Sequence, residues 1–346
     1  MEEFSLMVDK VDQLVWGLPL IGSVLFTGLL LTILLRLKHL IKLKDAFKLM
    51  FQKENSEAGG EVSHFGSLCT ALSATIGTGN IVGVATAITA GGPGALFWME
   101  VAALFGMATK YAEGLLAVKY RKVLPDGTVI GGPFRYIEHG LKGRFGIENW
   151  RWLAIMFAVF GMLAGIMGIG TVTQIHGIAS AVQGFFDPAF DPSAASDGIN
   201  IFGSVYSKAT VIAGAAVTFS VALVVLGGIK RIAKVSIFVV PFMAVFYLAL
   251  ILVILAVKLP VLPDAVILIV KSAFNPAAVT GGAIGSVFVV IQMGVARGIF
   301  SNEAGLGSAP IAAAAAKTNE PVEQGLVCMT GTFIDTIVIC TMTGLA

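Results

Sequence analysis

Apolar residues gather along the chain into long runs, which charged and polar segments separate. A helix of about 20 apolar residues is long enough to cross the hydrocarbon core of a bilayer. The pattern therefore predicts an all-α integral membrane protein with about eight transmembrane helices. Their approximate bounds are Trp16–Leu35, Gly66–Ala90, Leu96–Val118, Leu153–Val182, Thr210–Gly228, Ser236–Val257, Ala283–Phe300 and Leu326–Leu345.

The charges between these spans predict how the chain is oriented. Basic residues gather after the first, third and fifth spans, for example Arg36, Lys38 and Lys42 after the first. The segment 185–208 instead holds three aspartates and one lysine. Because Lys and Arg mark cytoplasmic loops, we expect a multi-pass protein of the plasma membrane with its N-terminus outside. We also expect the basic, amphipathic segment Leu37–Phe51 to lie on the inner membrane surface.

The composition supports a membrane protein. Hydrophobic residues make up 56% of the chain and charged residues 13%, against about 25% charged residues in soluble domains. The net charge of +2 is too small to indicate a nucleic-acid partner, so membrane lipid is the expected surrounding. Cys69, Cys328 and Cys340 lie inside apolar runs without the spacing of a metal site, which favours packed thiols.

Two of the predicted spans contain glycines that interrupt a stable helix. The second span reads GTGN from Gly77 to Asn80, and the seventh contains QMGVARGIFSNEAGLGSAP. Each glycine costs about 1 kcal/mol relative to alanine in a helix interior, and backbone groups freed in lipid must find other partners. The two spans run in opposite directions, as in an inverted repeat whose halves each begin with a discontinuous helix. Between such halves, an anion binds at a half-helix N-terminus and a cation at unwound carbonyls.

Other functional classes fit the sequence less well. The stretch GTGNIVG lacks the GxGxxG spacing of a dinucleotide-binding turn and follows no predicted strand. The spans contain no HExxH, GxSxG or paired-acid motif, so we expect neither an enzyme nor an organic cofactor. A channel or uncoupled facilitator would be favoured by rings of repeated charges, which the spans lack.

Several motifs resemble those of the alanine/glycine:cation symporter family, the sodium–alanine symporters. They are GGPGALFWMEVAALFG, ALSATIGTGNIVGVATAI, GMATKYAEGLLAVKYR, GVARGIFSNEAGLGSAPIAAAAAKT and QGLVCMTGTFIDT. The motifs are specific, and the resemblance covers nearly the whole chain from Gly66 onward. One position departs from it, because Glu100 stands where a tryptophan is expected. A carboxylate at that depth needs a partner or access to the interface.

The resemblance implies a broken-helix, inverted-repeat, leucine-transporter-like fold. It also implies sodium-coupled symport of a small neutral amino acid, alanine or glycine, by alternating access. Residues 1–65 would form an accessory helix and the basic segment, residues 66–257 the first five-helix repeat, and residues 258–346 an outer loop helix and the first two helices of the second repeat. The second repeat would then be incomplete, so we expect a C-terminally truncated chain. A truncated non-transporting fragment or an uncoupled facilitator is the alternative.

The resemblance further implies where the substrate and the ion bind. The N–H groups of Thr78 and Gly79 would receive the substrate carboxylate, and Phe300 would bound a small side-chain pocket. The residues expected to bind substrate are Thr75, Thr78, Gly79, Asn80, Gln174, Gly298, Phe300 and Ser301. The sodium ion would bind the carbonyls of Ser73 and Ile76 and the Asn80 side chain, since hard oxygen ligands suit it.

Several charged residues have two explanations each. Asp335 lies deep in the eighth span, where an acid is a functional candidate unless a neighbouring Lys or Arg pairs with it. Arg297 and Glu303 would either form a cytoplasmic gate or simply satisfy each other. Lys110 and Glu113, at the inner end of the third span, are expected to extend to the membrane interface.

The fourth span carries three further candidates. Gln174 either lines the substrate pocket, as the resemblance implies, or forms a hydrogen bond between helices. His176 is expected to be a packed polar residue and not a proton relay. Gly170 is expected to serve close helix packing.

Overall fold

The computed structural model describes residues 6–8, 10–11, 17–52, 58–142, 149–168, 170–191, 198–275 and 287–346. Among them, five helices are long and apolar enough to cross a membrane, or six if one bent pair counts as a span. Two shorter apolar helices accompany these. The prediction of a helical, multi-pass membrane protein is therefore confirmed. The count of eight spans, the inverted repeat and the three-part division of the chain stay predictions.

The described part of the chain forms α-helices, two π-helices and two short hairpins. In chain order the helices are α1 (Leu18–Leu34), α2 (Lys38–Ile41), α3 (Leu43–Met50), α4 (His64–Thr75), α5 (Val84–Gly91), α6 (Gly94–Lys119), α7 (Pro133–Gly140), α8 (Arg151–Ile166), α9 (Thr171–Phe186), α10 (Lys208–Val225), α11 (Gly228–Val257), α12 (Leu262–Phe274), α13 (Val287–Asn302), α14 (Ala309–Ala314), α15 (Pro321–Thr332) and α16 (Thr341–Leu345). The π-helices are π1 (Gly79–Gly83) and π2 (Phe333–Cys340), and a 3₁₀ turn (Leu259–Val261) precedes α12. The antiparallel hairpins pair Lys122–Val123 with Val129–Ile130, and Ile199–Ile201 with Ser204–Tyr206.

The basic segment after the first span packs on the protein. Helix α3 buries Ala46 and Met50, and Ala46 lies in one apolar cluster with Met107 and Met329. The apolar face of α3 therefore contacts neighbouring helices, and the expectation that the segment lies on the inner membrane surface stays a prediction. The predicted start of the first span, Trp16, lies outside the described residues.

The second span is broken where the sequence predicts it. Helix α4 ends at Thr75, and π1 and α5 follow at a bend of 56°. Ile76 and Gly77 lie in the bend. A π-helix is rare and frequently marks a functional site. The broken span is therefore a candidate functional site.

Helix α6 is the central helix, against which α1, α12, α13 and α15 pack. Its start lies close to α12, since a Cβ on Gly94 would come within 2.3 Å of the Ala273 nitrogen. The indole N–H of Trp98 also donates to the Ala273 carbonyl at 3.0 Å. The helix predicted between the sixth and seventh spans is thus present as α12. The rest of that predicted loop, residues 276–282, lies outside the described residues.

The fourth span has a break that the sequence-based prediction does not contain. Helices α8 and α9 are separated around Gly168 and Gly170, whose φ angles are +68° and +83°. A Cβ on Gly170 would meet nothing within 4 Å. Gly170 is therefore required for its left-handed backbone conformation and not for close packing as expected.

The interruption of the seventh span lies later than its first glycines suggest. Helix α13 runs unbroken through Gly294 and Gly298, whose Cβ atoms would lie 2.2 Å from the Ala95 carbonyl and 3.2 Å from Met99. These two glycines therefore serve close packing against α6. The chain leaves the helix after Asn302 and turns through positive φ angles before α14 begins. The predicted span start, 283–286, lies outside the described residues.

The C-terminal part of α6 is covered by the segment that follows α13. Lys110 and Glu113 are 4% and 8% exposed. Glu113 accepts the backbone N–H groups of Gly305 and Gly307. The expectation that these two side chains reach the interface is therefore wrong, because the turn after α13 and helix α14 lie over them. Lys119, the last residue of α6, is exposed.

Candidate functional site

The break in the second span redirects three backbone N–H groups. The Gly77 N–H donates to Asn80 Oδ1 at 2.8 Å, the Thr78 N–H to Gln174 Oε1 at 2.9 Å, and the Asn80 N–H to the Gly77 carbonyl at 3.2 Å. In an uninterrupted α-helix these groups would bond the carbonyls four residues earlier, those of Ser73, Ala74 and Ile76. Those carbonyls therefore lose their ordinary helical partners, and two of them belong to the residues expected to bind sodium.

Asn80 joins the break to two distant helical segments. Its Nδ2 donates to Ser301 Oγ at 3.1 Å and to Asp335 Oδ1 at 2.9 Å. It also lies 3.0 Å from the Asp335 carbonyl oxygen. Asn80 is 1% exposed. One amide group therefore holds π1, α13 and π2 together inside the protein.

Asp335 is surrounded by neutral hydrogen-bond donors. Besides Asn80, the hydroxyls of Ser301 and Thr336 donate to its Oδ2 at 2.8 and 2.9 Å. Its side chain is 1% exposed, and no Lys or Arg of the described residues lies within 4.0 Å of its carboxylate. The structural alternative, an ion pair with a neighbouring helix, is not formed. A buried carboxylate that forms no ion pair is costly at this depth unless it binds a proton or a cation.

Close backbone approach brings the two walls of the site together. A Cβ on Gly79 would lie 3.7 Å from the Ser301 Cα and 4.0 Å from Phe300 Cδ1. On the other side, a Cβ on Gly77 would lie 2.4 Å from Gln174 Nε2. The glycines of the break therefore make room for α13 and for the Gln174 amide. The Gln174 side chain does form a hydrogen bond between helices, and it does so at the break itself.

A cavity of about 410 Å³ opens beside the break. It is lined by Thr78, Gly79, Val82, Gly83, Thr86, Val172, Thr173, His176, Gly177, Arg297 and Phe300. Of the residues expected to bind substrate, Thr78, Gly79 and Phe300 line this cavity. His176 is exposed towards it and is not packed as expected.

The other predicted site residues lie behind or away from this cavity. Asn80 and Ser301 are buried in the polar cluster, and Thr75 lines a separate cavity of about 20 Å³ together with Lys110. Gly298 faces Met99. Ser73 is exposed, and its hydroxyl donates to the Thr70 carbonyl at 2.7 Å. The expected sodium ligand of Ser73 is its backbone carbonyl and not this hydroxyl.

Sequence reasoning missed two members of the polar cluster. Thr336 donates to Asp335, and Asn302 Nδ2 donates to Thr336 Oγ1 at 3.1 Å. Each stands next to a residue that was singled out, Asn302 after Ser301 and Thr336 after Asp335. The signal that could have found them is the occurrence of adjacent polar residues inside apolar spans.

Two charged residues differ from their predicted arrangements. Glu303 follows the end of α13 with a φ of +54° and accepts the Ser308 hydroxyl, whereas Arg297 lines the cavity. Among the described residues no ion pair joins them, so the expected gate or mutual pair is absent. Both carboxylate oxygens of Glu100 are buried, and the Thr341 side chain lies beside them as a hydrogen-bond donor.

The donor set suits an alkali cation better than a transition metal. No group of three or more His, Cys, Asp or Glu side chains able to hold a metal occurs in the described ranges. The oxygens of the buried cluster are the Asp335 carboxylate and the hydroxyls of Ser301 and Thr336. Hard oxygen ligands of this kind bind hard cations such as sodium.

Comparisons with known proteins agree with the motifs. The family model described as the sodium:alanine symporter family matches residues 1–346. The sodium/alanine symporter AgcS of Methanococcus maripaludis is 48% identical over 99% of this chain and 70% of its own length. An uncharacterized transporter of Haemophilus influenzae is 51% identical over 98% of this chain and 68% of its own. The amino-acid carrier protein AlsT of Bacillus subtilis is 36% identical over 86% and 57%.

Proposed function

The chain belongs to the sodium:alanine symporter family, and we propose that it carries alanine or glycine together with sodium by alternating access. Membership indicates a multi-pass transporter for sodium-coupled amino-acid symport. The substrate, the binding residues and the mechanism are our proposal. Its support is the buried cluster of Asn80, Ser301 and Asp335, which joins three helical segments at the broken span.

The proposed sodium ion binds at Asp335, whose carboxylate forms no ion pair with a Lys or Arg of the described residues. Asp335 supplies the negative charge, and Ser301 supplies a hydroxyl that faces it at 2.8 Å. The Ser73 and Ile76 carbonyls contribute at the break, because their usual N–H partners donate elsewhere. A monovalent cation neutralises Asp335 and makes it tolerable in the membrane interior.

The proposed amino acid lies in the cavity beside the break. Its carboxylate binds the N–H groups of Thr78 and Gly79, at the positive end of the helix that begins with π1. Phe300 closes the wall next to these groups. A methylene added to the substrate changes such a pocket's preference by about 1–3 kcal/mol, so alanine and glycine would be favoured without strict exclusion of larger neutral amino acids.

Coupling follows if the ion and the substrate stabilise the same arrangement of the broken helix. Asn80 contacts both the bend, through Gly77, and the carboxylate of Asp335. An ion that rearranges Asp335 therefore also acts on the bend that exposes the substrate-binding N–H groups. Such a linkage makes each ligand raise the affinity for the other by the same factor.

The location in the plasma membrane and the N-terminus outside stay predictions. An uncoupled facilitator is the competing function, and no observation among the described residues favours it over symport.

Uptake into vesicles tests the proposal. The purified chain is reconstituted, and entry of labelled alanine is followed under an inward sodium gradient and under an equal potassium gradient. We expect accumulation above the external concentration with sodium alone. Equal entry with both cations, without accumulation, would establish the uncoupled facilitator instead.

A further inference from the structure

The cavity beside the break contains two places able to hold a carboxylate. One is formed by the N–H groups of Thr78 and Gly79, and the other is the guanidinium of Arg297. Arg297 lies four residues before Ser301 on α13, which is about one helical turn, or about 5–6 Å along the axis. A ligand in this cavity can therefore meet Arg297 before or after it meets the break.

The first of these places is occupied by the protein itself. Gln174 Oε1 accepts the Thr78 N–H at 2.9 Å. The amide lies against Gly77, where any Cβ would collide with it at 2.4 Å. Gln174 thus uses the hydrogen bond that the substrate carboxylate is proposed to receive, and the amide must withdraw before the substrate can bind there.

No acid of the described residues occupies the second place. Arg297 is exposed towards the cavity, and no Asp or Glu of the described residues lies within 4.0 Å of it. Thr86, Thr173 and His176 line the same cavity, and the two threonine hydroxyls donate to the carbonyls of Gly83 and Gly170. A guanidinium offers a carboxylate two parallel, charge-assisted hydrogen bonds, which are roughly twice as strong as bonds between neutral groups.

We propose that Arg297 forms an outer carboxylate site that captures the amino acid before sodium-dependent binding at the break. The site takes small monocarboxylates in general, because it uses the carboxylate and needs neither the substrate's ammonium group nor the sodium ion. The inference rests on the proposed function, since it places a step ahead of the same substrate site. When the amino acid moves from Arg297 to the break, its carboxylate replaces Gln174 Oε1 as the acceptor of the Thr78 N–H. The charged carboxylate is the stronger acceptor.

Binding without sodium separates the outer carboxylate site from the inner one. The full chain is placed in lipid nanodiscs in choline buffer, and the binding of labelled alanine is measured for wild type, Arg297→Met and Arg297→Lys. Arg36→Met is the matched control, because Arg36 is exposed and lies outside the cavity. Propionate serves as a carboxylate competitor and methylamine as a competitor without one.

We expect weak alanine binding without sodium, which propionate displaces and methylamine does not. Arg297→Met should weaken this binding about tenfold or more, as expected for a hydrogen bond to a charged group. Arg297→Lys should fall between, and Arg36→Met should match wild type. Absence of sodium-free binding in wild type, or equal binding in Arg297→Met, would overturn the outer site.

Added sodium distinguishes this failure from failure of the proposed function. Sodium should strengthen alanine binding in wild type and in Arg297→Met alike if the inner site is right. If Arg297→Met does not fold, propionate competition in wild type and alanine binding by Arg297→Lys still test the outer carboxylate site. A wild type whose sodium-free binding ignores propionate would contradict the proposal even then.

Discussion

Asn80 donates a hydrogen bond of 2.9 Å to the carboxylate of Asp335, although 255 positions of sequence separate them. The bond links the break of the second span to the π-helix of the eighth, and both residues are 1% exposed. Asn80 also holds the bend through the Gly77 N–H. Ligation at Asp335 and the shape of the break are therefore connected through one side chain, which is the physical basis proposed for coupling.

Gly77 is predicted to be essential for the position of Gln174. In Gly77→Ala the new Cβ would lie 2.4 Å from Gln174 Nε2 and would expel the amide from the Thr78 N–H. We expect a loss of about 1–3 kcal/mol, because the flexible amide can move aside but leaves the Thr78 N–H without its acceptor. Thermal unfolding in detergent measures it, with Gly83→Ala as control because its Cβ would meet nothing within 4 Å. Equal melting temperatures for the two variants would contradict this account.

Gly294 is predicted to be a packing glycine of α13. Its Cβ would lie 2.2 Å from the Ala95 carbonyl, whereas a Cβ on Gly161 in α8 would meet nothing within 4 Å. Gly294→Ala should therefore separate α13 from α6 and lower the melting temperature. Gly161→Ala should be neutral or stabilising by up to about 1 kcal/mol, the helix preference for alanine. An unchanged melting temperature for Gly294→Ala would contradict the close contact between α13 and α6.

Arg121, which follows the C-terminal end of α6, is predicted to hold three chain segments together. Its guanidinium donates to the carbonyls of Ala314 at 2.6 Å, Ala316 at 2.5 Å and Gly59 at 2.6 Å, and to that of Thr318. Arg121→Met should free these segments and cost about 1.5–3 kcal/mol for each charge-assisted bond not replaced by water. Hydrogen exchange at residues 59–62 and 314–318 should then accelerate. Lys122→Met, at an exposed neighbour, should leave this exchange unchanged.

His39 is predicted to make the folded protein sensitive to acid. It lies in α2, 1% exposed, and neither ring nitrogen has a hydrogen-bond partner among the described residues. Burial lowers its pKa below the ordinary value of 6.5, so the unfolded chain binds the proton more readily. Neutral His39 therefore contributes to the free energy of unfolding above about pH 6.5. This contribution is lost as the pH falls through that value and below.

His39→Leu tests this dependence. Melting temperatures between pH 7.5 and 5 should fall less steeply for this variant than for wild type, while exposed His139→Leu should behave as wild type. The same slope for His39→Leu and wild type would show that another group carries the acid sensitivity.

The sequence located the helix break but not all of its partners. Gly77 to Asn80 stand out because glycines and polar residues are costly inside an apolar run, and that cost is local. Gln174 and Asp335 could be singled out, yet their contacts at the break depend on how distant helices pack. The Gly168–Gly170 interruption and the buried Lys110 were missed for the same reason. A membrane glycine can serve packing or backbone conformation, and only the surroundings decide between them.

The measurement that tests the central claim most directly is the sodium dependence of alanine binding in wild type and in Asp335→Asn. Asp264→Asn is the control, because Asp264 is an exposed acid in the first turn of α12. We predict that sodium strengthens binding in wild type and in the control. In Asp335→Asn the sodium needed for half of the effect should rise about tenfold or more, since the site loses its charge. Sodium dependence that is unchanged in Asp335→Asn would contradict the account.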